Sequence, residues 1–339
     1  MLDSILKWSR WILPLWVCGW AVGAGADSAR IFGSQKLLDS LWTPDQLVAN
    51  PAERIVVPHF SDGLADRPDG YLEMCLTPRP PVAPALRNSI RSVRIGDSRK
   101  WVALTFDLCE GNGEQSGYDG EIVDFLRREG IKATFYAGGK WMRSHPDRAL
   151  QLMVDPLFEI GNHSWSHSNL RLRSGETIRK EVRWAEMEYE YLWDQLAKMA
   201  HQYGLGAEME RIPRTLRTFR FPYGACNREA LEFLAAEGLP AVQWEVVSGD
   251  SAIGQDAETI TRLILKRTRP GSIIIDHANG RGWKTAEALH KFIPRLREQG
   301  YEFVTISELL EVGEPIASEE CYEMRPGDNA RYDEKKSAP

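Results

Sequence analysis

Two imidazoles stand four residues apart in the stretch Gly161-Asn162-His163-Ser164-Trp165-Ser166-His167. Neutral imidazole is a natural ligand for a borderline cation such as zinc. Asn162 is a good N-cap, and a helical turn after it would put His163 and His167 on one face. By itself such a pair is a weak motif. Its weight comes from other residues that can move protons or hold charge: Asp107, Arg220, Asp250 and His277, each at or just beyond an apolar run. Imidazole, carboxylate and guanidinium are the groups that hold a cation, move protons and fix charge.

These residues need elements to carry them. Apolar runs at 101–106, 133–136, 157–160, 218–221, 241–247, 272–275 and 302–306 read as strands. Helical spacing of apolar residues covers 120–128, 146–154, 176–203, 228–237, 257–266 and 285–298. Alternating strands and helices demand right-handed crossovers and a parallel sheet. About seven such strands predict a (β/α) barrel rather than an open, doubly wound sheet. In that architecture a site forms at the carboxyl ends of the strands, where the candidate residues all fall.

Taken together, Thr105-Phe106-Asp107, His163 to His167, Arg220-Phe221-Pro222-Tyr223, Trp244 with Asp250, and Ile275-Asp276-His277 resemble the motifs of the polysaccharide deacetylases, also called carbohydrate esterase family 4 or the NodB-homology domain. The resemblance covers roughly residues 98 to 310. It implies a distorted (β/α) barrel that removes an N- or O-acetyl group from a polysaccharide with a divalent metal, commonly zinc. By that resemblance His163 and His167 bind the metal and Asp107 is the general base. Arg220 holds Asp107, His277 is the general acid, and Asp250 orients His277. The backbone N–H of Tyr223, after Pro222, faces the developing oxyanion, and Trp244 and Ile275 line the acetyl methyl. Plainer roles compete: Arg220 as a buried ion-pair partner, Trp244 as core, Asp250 and Pro222-Tyr223 as turn residues.

The chain departs from the family at Leu108, where a metal-binding Asp is usual. Leucine cannot ligate. Glu110 could supply the missing carboxylate, Asp107 itself could ligate, or the two imidazoles could hold the ion with water. Ser251 and Val247 also replace residues usual in the fourth motif. Two other functions remain open on the same fold: a metal-independent amide hydrolase, and a secreted carbohydrate-binding protein without catalysis.

The remaining features concern location. Lys7 and Arg10 precede an apolar stretch that ends in Ala24-Gly25-Ala26, which predicts a signal peptide over residues 1–26 and export to the periplasm or beyond. The segment would contact a membrane only if left uncleaved. Export leaves Cys75, Cys109, Cys226 and Cys321, enough for two disulfides with three possible connectivities. Cys109 and Cys226 lie in the site loops and Cys75 and Cys321 in the flanking arms, so pairing within each group is one expectation. No Cys-x-x-Cys occurs, which speaks against a zinc–cysteine site. Residues 27–97 read as an irregular N-terminal arm, 98–312 as the enzyme domain and 313–339 as a charged tail with a disordered end. A net charge of −6 without a basic stripe argues against nucleic acid as a partner.

Overall fold

A computed structural model describes residues 32–71 and 76–333. The expected signal peptide, Cys75 and the extreme end of the tail lie outside the described residues.

The arm is more ordered than its proline content suggests. Ser34 caps helix α1 (Gln35–Leu41) through its side chain, and the helix buries Leu37 and Leu38 in the main core. Farther on, β1 (Ser89–Ile95) forms a strand in a region expected to be irregular. Its partner strand lies far along the chain, with Arg94 paired to Glu314, 220 residues on, too distant for local pattern to reveal.

The barrel follows. Its strands are β2 (Trp101–Leu108), β3 (Ala133–Ala137), β4 (Phe158–Asn162), β5 (Val246–Val247), β6 (Ile273–His277) and β7 (Glu302–Val304). All pair in parallel, in the order β4-β3-β2-β6-β5, with β7 beside the first residues of β2. Helices α2 (Gly120–Glu129), α3 (Pro146–Val154), α4 (Gly175–Gln202), α5 (Arg228–Ala236), α6 (Ala257–Arg267) and α7 (Thr285–Glu298) agree with the apolar spacing.

The strand expected at 218–221 is reduced to single bridges, Phe219 to Asn162 and Phe219 to Ala241, which carry the ring from β4 round toward β5. Two causes are visible. Pro222 and Pro240 flank the bridged residues and have no N–H to give a ladder. The guanidinium of Arg220 also takes the carbonyls of Val242 and Gln243, at 3.2 Å each. The result is a barrel distorted on this side.

Alternation along β2 sets the two faces. Val102, Leu104, Phe106 and Leu108 point into the core under the helices, with Phe135, Ile122 and Phe292. Ala103, Thr105 and Asp107 point inward. At the amino ends of the strands, Ile90 and Val93 of β1 pack in one cluster with Ala103 and Ile273. The tail closes this end as β8 (Gly313–Ser318), antiparallel to β1. Beyond β8 the tail is described through residue 333.

Candidate active site and metal centre

Asp107 and His277 are direct partners across the β2–β6 ladder, so their side chains leave the sheet side by side at its carboxyl end. Asp107 is 3% exposed. Its Oδ1 accepts a hydrogen bond from Arg220 Nη1 at 2.8 Å. The same nitrogen reaches Thr105 Oγ1 at 2.8 Å, and the guanidinium lies 3.9 Å from the centre of the Tyr136 ring. Burial alone would raise the carboxyl pKa. The positive charges of Arg220 and His277 help outweigh it and hold Asp107 below the ordinary value, ionised near neutrality.

His277 meets Asp250 twice. Its Nδ1 is 2.9 Å from Oδ1, and its backbone N–H donates to Oδ2 at 2.7 Å. Thr285 Oγ1 donates to the same Oδ2 at 2.7 Å, fixing the carboxylate from a helix the motifs did not flag. Burial disfavours the imidazolium, but the charge and hydrogen bond of Asp250 prevail and raise the pKa to about 9. His277 is therefore a cation at neutral pH with a proton to give.

His163 and His167 come together without a helix. Ser164 at φ 66° and His167 at φ 53° twist the chain in an irregular loop, and the ring centres lie 5.0 Å apart. The Asn162 side chain does not start a helix. It accepts from the N–H of Ser164 and donates to Glu186, pinning the turn instead. His163 Nδ1 lies 2.9 Å from the carbonyl of Arg220, which requires an N–H at that position and leaves Nε2 with a lone pair. Burial holds the ring's pKa below its usual value, so it is neutral. Nε2 is buried without a hydrogen-bond partner and faces Asp107 Oδ2 across 3.5 Å. Two electron-rich atoms facing each other in the interior call for positive charge nearby. A divalent cation fits this donor set.

Glu110, one expected source of the third ligand, is otherwise engaged. Its Oε2 accepts from Ser144 Oγ at 2.7 Å and from the N–H of Ser116 at 3.0 Å, and burial raises its pKa to about 7. The group beside the two imidazoles is the thiol of Cys109. Its sulfur and one nitrogen from each of His163 and His167 all lie within 4.8 Å of one another. No Cys-x-x-Cys spacing marked this cysteine; the fold brings it beside the two imidazoles. Strand alternation was the available signal, because Cys109 shares parity with Asp107 while Leu108 is buried in the core.

Pro222 and Tyr223 form a single 3-10 turn after Phe221. Tyr223 adopts φ 60°, ψ 10°, a left-handed conformation that costs a non-glycine residue roughly 1 kcal/mol. Its ring packs on His167 at 4.5 Å and on Tyr332 of the tail at 5.2 Å. Asn329 of the tail donates to the carbonyl of Gly224, and Cys226 is bonded to Cys321. The expected pairing of Cys226 with Cys109 is overturned: Cys109 is free and buried. Trp244 and Ile275 are buried in one cluster. The indole N–H of Trp244 donates to the carbonyl of Glu323 at 3.0 Å, so the tail fixes this ring too.

Residues 94–242 match the family model described as polysaccharide deacetylase. The chain is 29% identical over 212 residues to a peptidoglycan-N-acetylglucosamine deacetylase of Listeria monocytogenes. That match covers 62% of this chain and 39% of the relative, so the chain spans well under half of that protein's length. Among solved structures, a peptidoglycan N-acetylglucosamine deacetylase in complex with 4-naphthalen-1-yl-N-oxidanyl-benzamide superposes with a TM-score of 0.54 at 26% identity, over 66% of this chain and 93% of that one. A mutant of a CE4 family pseudoenzyme from Bacillus anthracis, with restored enzymatic activity, superposes at 0.50 with 25% identity, over 70% and 73% of the two chains.

Proposed function

The chain carries a polysaccharide deacetylase domain, and from that premise we propose that it is a hydrolase that removes the acetyl group of an N- or O-acetylated cell-wall or extracellular polysaccharide. The observation that carries the reading is the pairing of Asp107 with His277 across one ladder, with His163 Nε2 3.5 Å from the same Asp107. A base, an acid and a cation site converge where one acyl carbon can meet all of them.

In this reading Asp107, ionised and held by Arg220, takes a proton from the attacking water. His277, kept cationic by Asp250, gives its proton to the leaving amine or hydroxyl. The peptide N–H of Tyr223 donates to the oxygen that gains charge. Trp244 and Ile275 form the apolar wall for the methyl group. A divalent metal, with zinc the expected one, would be held by His163 and His167 and supplies Lewis acidity toward the acyl oxygen and water. N-acetylglucosamine polymers are the favoured substrates, because the Listeria relative is named for one.

The Cys226–Cys321 bond supports the expected export, since such bonds persist in oxidising compartments. No helix of the described residues is long and apolar enough to cross a membrane.

Acetate release from chitin oligomers and from peptidoglycan tests the proposal. The full chain should release acetate, a chelator should stop it, and added zinc should restore it. No release from either substrate, or release equal in the Asp107→Asn variant, rejects the proposal.

A further inference from the structure

With Leu108 buried in the core, the position that gives related sites a carboxylate has nothing to offer a cation. The other nearby carboxylates are committed. Glu110 is held by Ser144 and Ser116. Asp107 spends one oxygen on Arg220. Its other oxygen, which faces His163, is the base of the proposed reaction, and the Cys109 thiol is the further donor beside the imidazoles.

We propose that Cys109 supplies the third protein ligand as a thiolate, making a Cys-His-His site that selects zinc over hard cations. Three observations carry it. The sulfur and the two imidazole nitrogens lie within 4.8 Å of one another, a span one ion with bonds of about 2.0–2.3 Å draws together. His163 Nε2 is 1% exposed at the residue level, unpartnered, and oriented by the Nδ1 contact to the Arg220 carbonyl. Cys109 forms no disulfide although the chain makes one nearby. Its backbone is fixed as metal ligands usually are. Asn279 donates to the Cys109 carbonyl at 2.8 Å, and Gly138 N–H donates to the Leu108 carbonyl at 3.0 Å.

The chemistry balances simply. The S–H bond is exchanged for a sulfur–metal bond, and one proton leaves to solvent. Formal charge is the same as with a carboxylate ligand, so the site keeps its electrostatics while its preference changes. Thiolate with imidazole favours zinc or cobalt, and magnesium, calcium and manganese prefer oxygen.

The inference rests on the deacetylase reading only for the presence of a cation, and its test is spectroscopic. Full chain purified without chelator is loaded with zinc alone or cobalt(II) alone. Zinc X-ray absorption should show one sulfur at about 2.3 Å beside nitrogen ligands. The cobalt form should show a near-ultraviolet sulfur-to-metal charge-transfer band. Cys109→Ser should lose both signals and bind zinc at least about 100-fold more weakly, beyond the roughly 10–100-fold that a supporting partner is worth. Cys109→Asp should keep the native circular dichroism and recover metal binding without the sulfur signals, which separates ligand loss from misfolding.

A first shell without sulfur, no metal bound at all, or unchanged zinc affinity and spectra in Cys109→Ser overturns the inference. A protein that releases acetate without a sulfur signal overturns it and leaves the deacetylase reading standing. A protein with the sulfur signal that releases no acetate from either glycan does the reverse.

Discussion

Asp107 and His277 are held by protein partners on every side that matters, while His163 and Cys109 beside them are not. Asp107 has Arg220, itself pinned by Thr105, Val242 and Gln243. His277 has Asp250, in turn pinned by Thr285. Across 3.5 Å from Asp107, His163 ends in a buried lone pair with no donor, in a loop whose neighbours Ser164 and His167 sit at positive φ. The proton-moving side is complete in the polypeptide alone. The cation side is built around a positive charge that the polypeptide does not supply. The contrast teaches that removing a metal should empty one side and leave the other standing.

Breaking each side separately gives the largest effects. Asp107→Asn and His277→Ala should each lower acetate release by about 10²–10⁴-fold, the range for a lost general acid or base. Metal content, read by elemental analysis, should stay near that of the parent. The double change His163→Ala with His167→Ala should abolish both activity and metal content. Loss of metal in His277→Ala, or retention of metal in the double variant, would erase the division between the two sides.

The acid can be weakened without removing it. His277 must be protonated to act, and its pKa is raised to about 9, mainly against burial by the charge of Asp250. The acid form is then present below about pH 9 and is lost above it, so kcat falls on the alkaline side. Asp250→Asn removes the charge that raises the pKa, and the limb should move down toward the ordinary imidazole value of about 6.5. At pH 8 that leaves only a few per cent of the acid, a loss of roughly 30-fold that shrinks as the assay pH is lowered. A limb that stays near pH 9 in this variant would show that something other than Asp250 holds the proton.

The two sides were also unequally legible in the sequence. Asp107, Arg220, Asp250 and His277 stand at or near the ends of apolar runs, and period-two alternation then places Asp107 and His277 on one ladder face. The cation side depended on finer geometry. A helix after Asn162 looked natural, but that side chain bonds the N–H of Ser164 two residues on and turns the chain the other way. Cys109 stands in no Cys-x-x-Cys spacing and at no position where a carboxylate is usual, so only the parity it shares with Asp107 marks it. The arm and tail were the least legible. Strands β1 and β8 find each other across the length of the domain, and Cys226 pairs with a cysteine 95 residues away.

That disulfide gives the smallest and most indirect test, since it touches neither side. It fastens the tail next to the Pro222-Tyr223-Gly224 turn, where Asn329 binds the Gly224 carbonyl and Tyr332 stacks near Tyr223. A crosslink closing a long loop stabilises by about 2–4 kcal/mol, chiefly by restricting the unfolded chain. Replacing Cys226 and Cys321 together by Ser should lower Tm by roughly 5–10 °C. Metal content should not change, because His163 is held by the Arg220 carbonyl and Asp107 by the Arg220 guanidinium, contacts that do not pass through the tail. Activity should fall only a few-fold, as the turn facing the acyl oxygen loosens while the base and acid stay in place. A Tm equal to the parent's would show that the tail is held by β8 and its polar contacts alone. A hundred-fold loss of activity with intact metal would make the turn a third side of the site, as demanding as the other two.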